Sequence, residues 1–366
     1  MVADDSFSVV PSGRLFLDGA ALFTSDKENF HNGVAVPEIW LGAKMNYKKW
    51  IANIYVAFNN NKVGLRAVYL GYNFNENLQL KLGSFLPQYG LRTTLSATNL
   101  APLISPMSNI AFNDGRQLGA MLVYYPGNFL AAGTIHTEGE AATSILGSKD
   151  FVKEGIGVTG RFAFRPVHND GQVVQLGLSG GFSTPRRHLD ENGMDLHDAF
   201  EFKANFPTRV VTVRALDALV DHATGKWKFS PELLLNYKFL ALESQYYFST
   251  VTREVGYRDF SGQGMYVILR GLLNGNSYSY ASYAGVLDAP APKSLECVLG
   301  YNYTDLSDRR SEIMGGQASN FSLTLNYYFN KYVTARLRYG YTHVWNREGY
   351  NPTTLNSVMA RIQVIF

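Results

Sequence analysis

The sequence has few of the features that mark helical membrane proteins and disulfide-bonded secreted domains. None of its 366 residues lie in an apolar run near the roughly 18 residues that a membrane-spanning helix needs, and the mean hydropathy is −0.11. Cys297 is the single cysteine, so no internal disulfide can form. Residues 1–5 carry neither the charged nor the apolar part of a signal peptide, so we expect the sequence of a mature or recombinant form from which that peptide has been removed.

Aromatic residues, by contrast, are abundant, and the last strand-like segment shows how they are used. The chain contains 23 Tyr and 23 Phe but 4 Trp. In residues 358–366 apolar side chains alternate with others, so one face of a strand would be apolar and the other would carry Arg361 and Gln363. Alternation of this kind is typical of a transmembrane β-barrel, in which lipid contacts the outer face of every strand and water or the lumen contacts the inner face. The apolar members are Val358, Ala360, Ile362, Val364 and Phe366.

The same alternation recurs along the whole chain and predicts an all-β fold, a transmembrane antiparallel β-barrel of about sixteen strands with inward-folded loops. An even number places both ends of a single-chain barrel on the same side of the membrane. We interpret residues 1–11 as an N-terminal tail and 12–366 as a single β-barrel domain. The predicted strands are 12–24, 34–47, 49–59, 63–73, 77–86, 116–125, 128–138, 155–167, 171–184, 225–238, 240–253, 261–274, 293–305, 317–330, 332–345 and 356–366.

Three connections are too long to be simple turns. Residues 87–115 and 185–224 are predicted to be long outer loops, and 275–292 a long connection on the periplasmic side. Within the second loop, residues 198–214 have strand character, but counting them as a membrane strand would make the total odd. Two placements are open for these loops, since they could fold into the lumen and narrow it, or form an external cap or subunit contact.

The predicted inner face has an excess of positive charge. Nine basic side chains face four acidic ones there, although the formal net charge of the whole chain is only +3. A positive lumen with low-dielectric walls concentrates anions; the alternative is that the charges pair and brace the wall. The basic residues predicted to line the pore are Arg14, Lys44, Arg66, Lys81, Arg161, Arg165, Arg336, Arg338 and Arg361. The acidic ones are Asp18, Glu38, Glu243 and Glu296.

Several short segments resemble the phosphate-selective porin O and P family of bacterial outer-membrane channels. Residues 292–305, 262–276 and 323–330 look like family strands, and the last follows paired glycines at 315–316. Residues 82–87 and 115–119 fit the family's pattern around its third loop. The resemblance implies a sixteen-stranded barrel in the bacterial outer membrane, usually a homotrimer, with an anion pathway narrowed by inward loops.

The chain departs from the family's phosphate-specific members, in which an arginine ladder and pore lysines recognise the ion. Residues 93–114 of the third loop contain no Lys or Arg. The candidates for a constriction loop are Arg116, Lys203, Arg209 and Arg214.

We therefore expect an outer-membrane porin for passive diffusion of small hydrophilic solutes with a modest preference for anions. A specific uptake channel for phosphate or another anion and a structural or adhesive barrel with an occluded lumen remain as alternatives. No catalytic residue, metal site, cofactor or nucleic-acid partner is expected, because the seven histidines are dispersed and no phosphate loop or nucleophile elbow is present. The expected partners are outer-membrane lipid, the solutes and two further copies of the chain.

Overall fold

The computed structural model describes residues 7–59, 62–137, 151–153, 155–188, 198–274 and 277–366, and almost all of its regular structure is β. The strands of the N-terminal half are β1 (Ser8–Phe23), β2 (Gly33–Tyr47), β3 (Trp50–Asn59), β4 (Lys62–Leu65), β5 (Val68–Asn75), β6 (Leu78–Phe85), β7 (Gln117–Tyr124), β8 (Phe129–Thr137), β9 (Phe151–Lys153), β10 (Ile156–Asn169) and β11 (Gln172–Ser183). Those of the C-terminal half are β12 (Arg187–His188), β13 (Phe200–Asn205), β14 (Arg214–Val220), β15 (Ala223–Tyr237), β16 (Leu240–Arg253), β17 (Phe260–Leu272), β18 (Tyr280–Ala281), β19 (Val286–Leu287), β20 (Leu295–Asp308), β21 (Ile313–Tyr328), β22 (Val333–Arg347) and β23 (Thr353–Ile365).

The long strands form a closed antiparallel barrel of 16 strands, which confirms the predicted fold class. Each barrel strand pairs with its neighbour in sequence, and β23 pairs with β1 to close the cylinder. Backbone hydrogen bonds in both directions between Gly13 and Phe366 (2.8 and 3.1 Å) extend this seam. With β4 and β5 counted as one strand, closure gives each of the 16 strands a partner on both sides, so the exterior of the cylinder can contact lipid. Because β1 begins at Ser8 and pairs there with Asn46, the predicted N-terminal tail is shorter than residues 1–11.

One barrel strand is interrupted by a β-bulge. Both β4 and β5 pair with β3, in registers that differ by one residue, with Val56 opposite Leu65 and Asn53 opposite Tyr69. The extra residue lies at 66–67, where the N–H of Arg66 donates to the carbonyl of Tyr55 (2.7 Å). A bulge changes which alternate residues face inward. Arg66 and Tyr69 therefore both face the bore, although strict alternation would place them on opposite faces.

The two faces of the wall differ as alternation predicts. From residue 321 to 327 of β21 the outward side chains are apolar and exposed, whereas the inward Thr324 and Asn326 are fully buried. On the closing strand the outward Ile362 is exposed and the inward Arg361 is buried. An exterior of this composition matches the apolar band of a lipid-embedded barrel.

Three segments fold into the bore and fill much of it. The first, called the long loop, is residues 86–116 and contains the helix α1 (Met107–Phe112). The second, the inner hairpin, is β13 and β14 with their connection, and the third, the turn-end segment, is residues 277–292 with the small hairpin β18–β19. No helix in the described part of the chain is long and apolar enough to cross a membrane.

The inner hairpin settles the two placements left open for residues 198–214. Its inward face packs in an apolar cluster with α1 and the barrel wall, where the Phe202 ring lies 5.8 Å from that of Phe112 and 5.5 Å from that of Phe260. The hairpin therefore lies inside the bore rather than capping it, and extends to Val220, beyond the predicted strand-like segment. The expectation of a wet, cationic interior needs correction, because apolar packing occupies a large part of it.

Candidate functional site

Inward-facing side chains are covered on most of the wall but not on β2 to β6. Along β8, β10, β15 to β17 and β20 to β23, the inward residues are almost all buried beneath the three inward segments. Along β2 to β6, Trp40, Tyr55, Tyr69 and Lys81 are half-buried, and Lys44 is exposed. We call this region, with the half-buried Arg66 and Arg116 and the buried Arg14 beside it, the open wall. Arg14 lies at its covered edge, where it donates to the hydroxyl of Ser96 (3.1 Å) on the long loop.

Three guanidinium groups from separate parts of the chain surround one indole on the open wall. The Cζ atom of Arg14 lies 3.3 Å from the ring centroid of Trp40, that of Arg116 5.2 Å and that of Arg66 5.6 Å. Cation–π attraction to one ring offsets part of the repulsion among these cations. Burial first, and then repulsion by Arg66 and Arg14, lower the pKa of Arg116 to about 10, so the group still carries its charge at neutral pH.

Glu38 is the carboxylate nearest to this cluster, and its two oxygens contact Arg14 of the cluster and Arg209 outside it. Its Oε2 lies 2.6 Å from Nη2 of Arg14, and its Oε1 lies 3.9 Å from Nη1 of Arg209 on the inner hairpin. Within the described residues, Arg66 and Arg116 have no ion pair, and the buried Nε of each has no hydrogen-bond partner. The cluster thus carries more positive charge than its carboxylate balances.

Two lysines continue the positive charge along the same wall. The ammonium group of Lys81 lies 4.7 Å from the ring centroid of Tyr69 on the wall and 4.8 Å from that of Tyr283 on the turn-end segment. Lys44 lies across β3 and β5 from Lys81 and is the more exposed of the two. Together with the arginines they form a series of cations on one side of the bore.

The other five residues predicted to line the pore face inward but are covered, which corrects that interpretation. Arg161 pairs with Glu232 (2.7 Å) and donates to the carbonyl of Ala284 (2.7 Å) on the turn-end segment. Arg165 donates to the carbonyl of Ser282 (3.0 Å) on the same segment. These two guanidiniums therefore anchor an inward segment and do not contact open solvent.

The long loop covers two of the remaining three. Arg336 donates to the carbonyl of Thr98 (2.7 Å), and Arg361 donates to that of Leu103 (3.3 Å) while pairing with Asp18 (2.6 Å) across the barrel seam. Backbone carbonyls of the loop thus replace solvent as partners of these two side chains. Arg338 is buried on the wall itself, where it donates to the hydroxyl of Ser357 (3.3 Å) and the side-chain carbonyl of Asn320 (3.5 Å).

The four constriction-loop candidates separate into two pairs. Arg116 belongs to the open wall, and Arg209 reaches it through Glu38. Lys203 and Arg214 lie on the less buried face of the inner hairpin, where Lys203 pairs with Glu201 and Arg214 lies 3.6 Å from Asp217. The structure therefore does not bring Lys203 and Arg214 to the open wall.

Sequence reasoning missed a set of buried charges that hold the long loop in place. Lys226 and Lys228 on β15 both contact Asp114, Lys226 at 2.5 Å. Burial alone would raise the pKa of Asp114, but the two ammonium groups hold it well below its usual range. Arg92 pairs with Glu243 (2.9 Å) at the other end of the loop. The sequence did contain a signal for the two lysines: Lys226 and Lys228 alternate with the outward Trp227 and Phe229, which indicates that they face inward.

A second missed cluster connects the wall to the turn-end segment. Arg270 pairs with Glu243 and Glu296, both at 2.9 Å. The hydroxyls of Tyr278 (2.8 Å) and Tyr328 (2.9 Å) donate to Glu296. Since Glu243 also binds Arg92, one network of charges joins the long loop, the wall and the turn-end segment.

Solved structures of other proteins share this architecture at low sequence identity. OmpT of Vibrio cholerae in a trimer form is 13% identical, with a TM-score of 0.63 over 99% of this chain and 100% of that chain. An anion-selective porin from Comamonas acidovorans is 14% identical, with a TM-score of 0.59 over 99% and 100% of the two chains. OprB of Pseudomonas putida, in a high-pH structure, is 10% identical, with a TM-score of 0.55 over 99% and 94%. These likenesses establish the fold.

Comparison of sequences identifies the family of the chain as well as its fold. None of the curated proteins compared with this chain matches it. The family model described as phosphate-selective porin O and P matches residues 17–366, nearly the whole chain, which confirms the resemblance seen in its short segments. The chain belongs to the phosphate-selective porin O and P family.

Proposed function

We propose that the protein is a porin of the bacterial outer membrane that lets small hydrophilic solutes diffuse passively and prefers anions, through a path along the open wall. The observation that carries this proposal is the cluster of Arg14, Arg66 and Arg116 around Trp40, with Glu38 as its nearest carboxylate. Lys44 and Lys81 extend the positive region along the same side of the bore. No chemical step and no energy source are involved.

The physical basis of the preference is the potential inside a low-dielectric wall. Cations that lack counter-ions raise the local concentration of small anions and lower that of cations. Passage also requires that no site holds the ion too firmly. The cations of the open wall come from separate segments and are spread along the bore, which favours several weak contacts over one tight clamp.

The proposed membrane location and trimeric assembly are supported by the outer surface of the barrel and by a similar structure. The exposed apolar side chains of the outer face support contact with outer-membrane lipid. A homotrimer is supported by the trimer form of the similar OmpT structure. In that assembly each copy would contain its own open wall.

The test is the reversal potential of the purified protein in a planar bilayer under a potassium chloride gradient. Removing both wall lysines (Lys44→Gln with Lys81→Gln) should lower the ratio of anion to cation permeability about twofold or more, because ~0.5 kcal/mol of lost attraction corresponds to a factor of about two. The control, Lys203→Gln with Lys238→Gln, removes the same charge from the exposed face of the inner hairpin and from a tight turn. Equal ratios for both double variants would refute the path along the open wall.

A barrel with an occluded lumen is a second candidate, favoured by one observation. The apolar cluster that includes Phe112, Phe202, Phe206 and Phe260 lies within the cylinder and is almost free of solvent contact. If this packing closes the bore, the reconstituted protein carries no ion current. Current that appears only after deletion of residues 200–220 would assign the closure to the inner hairpin.

A further inference from the structure

The open wall is aromatic as well as basic. Trp40, Tyr55 and Tyr69 come from three successive barrel strands, and Tyr283 faces Tyr69 from the turn-end segment. All four side chains are half-buried, whereas most inward aromatic residues elsewhere, such as Tyr247, are fully buried. Flat apolar surface is therefore accessible from the bore at this side.

A glycine opposite Tyr55 positions its ring. Gly42 on β2 pairs with Tyr55 on β3, and a Cβ atom at Gly42 would lie 2.5 Å from Cδ1 of that ring. The ring thus lies directly over the glycine backbone, where any larger residue would displace it. It remains half-buried and lies beside Trp40, at 6.3 Å between ring centroids.

Four cations of this region, Lys81 and the three arginines, have an aromatic ring for a neighbour. The Lys81 ammonium lies between the rings of Tyr69 and Tyr283, and the three guanidiniums surround Trp40. A small inorganic anion would use only the charges of this arrangement. An anion that also carries a flat apolar body would use both the charges and the aromatic faces.

We propose that the open wall prefers organic anions that carry a carboxylate on a flat apolar body over small inorganic or aliphatic anions of the same charge. This inference rests on the proposed function, because it names the solute class of the same path. The planar guanidinium fork matches a carboxylate. The ring of the solute would displace water from Tyr55 and Tyr69, which chloride or acetate cannot do.

The experiment measures chloride current through the full-length protein in planar bilayers while benzoate or acetate is added at constant ionic strength. Benzoate should halve the current at a concentration roughly 3- to 10-fold lower than acetate, the factor that one aromatic contact contributes. Tyr55→Leu and Tyr69→Leu should each reduce this difference. The control is Tyr72→Leu on the outward face of β5, which should leave it unchanged.

The outcomes separate this inference from the function on which it rests. A protein that prefers chloride over potassium but responds equally to benzoate and acetate overturns the inference and retains the anion pathway. A difference that persists in both Tyr55→Leu and Tyr69→Leu also overturns it, because the aromatic faces are then not the binding surface. If the unmodified protein conducts ions but shows no preference for chloride over potassium, the proposed function itself is overturned.

Discussion

Replacing Asp114 with asparagine should release the end of the long loop from the barrel wall. The carboxylate lies between the ammonium groups of Lys226 and Lys228, whose side chains are 6% exposed. Because both ammonium groups contact this one carboxylate, they lie no more than about 7 Å apart; if they kept these positions without it, they would repel each other by ~2 kcal/mol at an effective dielectric constant of about 20. Breaking a buried ion pair from one side typically costs about 3–5 kcal/mol. We therefore expect Asp114→Asn to destabilise the docked loop by about 2–5 kcal/mol.

Hydrogen exchange of the α1 amides is the suitable assay, because the loop can detach while the barrel stays closed. A cost of about 2 kcal/mol corresponds to a roughly 30-fold loss of protection in residues 107–112. The matched control combines Asp114→Asn with Lys226→Met and Lys228→Met, which removes the charges together. Since the penalty comes from repulsion between the two ammonium groups that Asp114 no longer separates, the triple variant should recover much of the lost protection.

Two results would refute this reasoning. If Asp114→Asn leaves the protection of α1 unchanged, the contact with the lysines does not hold the loop. If the triple variant is less protected than Asp114→Asn alone, the lysines stabilise the loop through some other interaction than this pair.

Two further predictions concern Asp114 and Gly42. The pKa of Asp114 in the folded protein lies below its unfolded value of about 3.9, so the stabilisation of the docked loop by its carboxylate is complete above that value and is lost only as the pH falls below it. Protection of the α1 amides, corrected for intrinsic exchange, should therefore be constant from pH 7 to 5. A decline in that window would contradict the role given to Asp114. Gly42→Ala would force a Cβ atom into the ring of Tyr55 and the carbonyl of Ile54, so urea unfolding should show a loss of about 1–3 kcal/mol. Gly133→Ala is the control and should be nearly neutral, because a Cβ atom at Gly133 would meet nothing within 4 Å in the described structure. If the two variants lost the same free energy of unfolding, the steric explanation for Gly42 would be wrong.

The barrel could be predicted from the sequence because two solvents act on every strand. Because lipid lies outside and polar groups lie inside, apolar side chains recur at every second residue, and this period is visible in a short stretch of sequence such as residues 358–366. The inner hairpin shows where this signal becomes ambiguous. Its alternation has the same period, since one face packs into the bore, and only the even strand number distinguished it from a membrane strand.

Which inward charges remain open could not be predicted from alternation. Arg336 and Lys81 both occupy inward positions, but Arg336 binds the carbonyl of Thr98, 238 residues earlier in the chain. Whether an inward side chain is buried in this way depends on where a loop distant in the sequence packs against the wall. The grouping of Arg66 with Tyr69 was also hidden, because a bulge changes the parity of the strand between them.

The pairing of Asp18 with Arg361 has a consequence for how the molecule assembles. These residues stand opposite each other on the first and last strands, and Arg361 also binds the carbonyl of Leu103. The long loop therefore acquires one of its attachment points only when the chain's final strand arrives. Cylinder closure and ordering of the interior become thermodynamically linked, so a substitution at Arg361 should weaken both. A chain truncated before β23 would lack this attachment of the long loop.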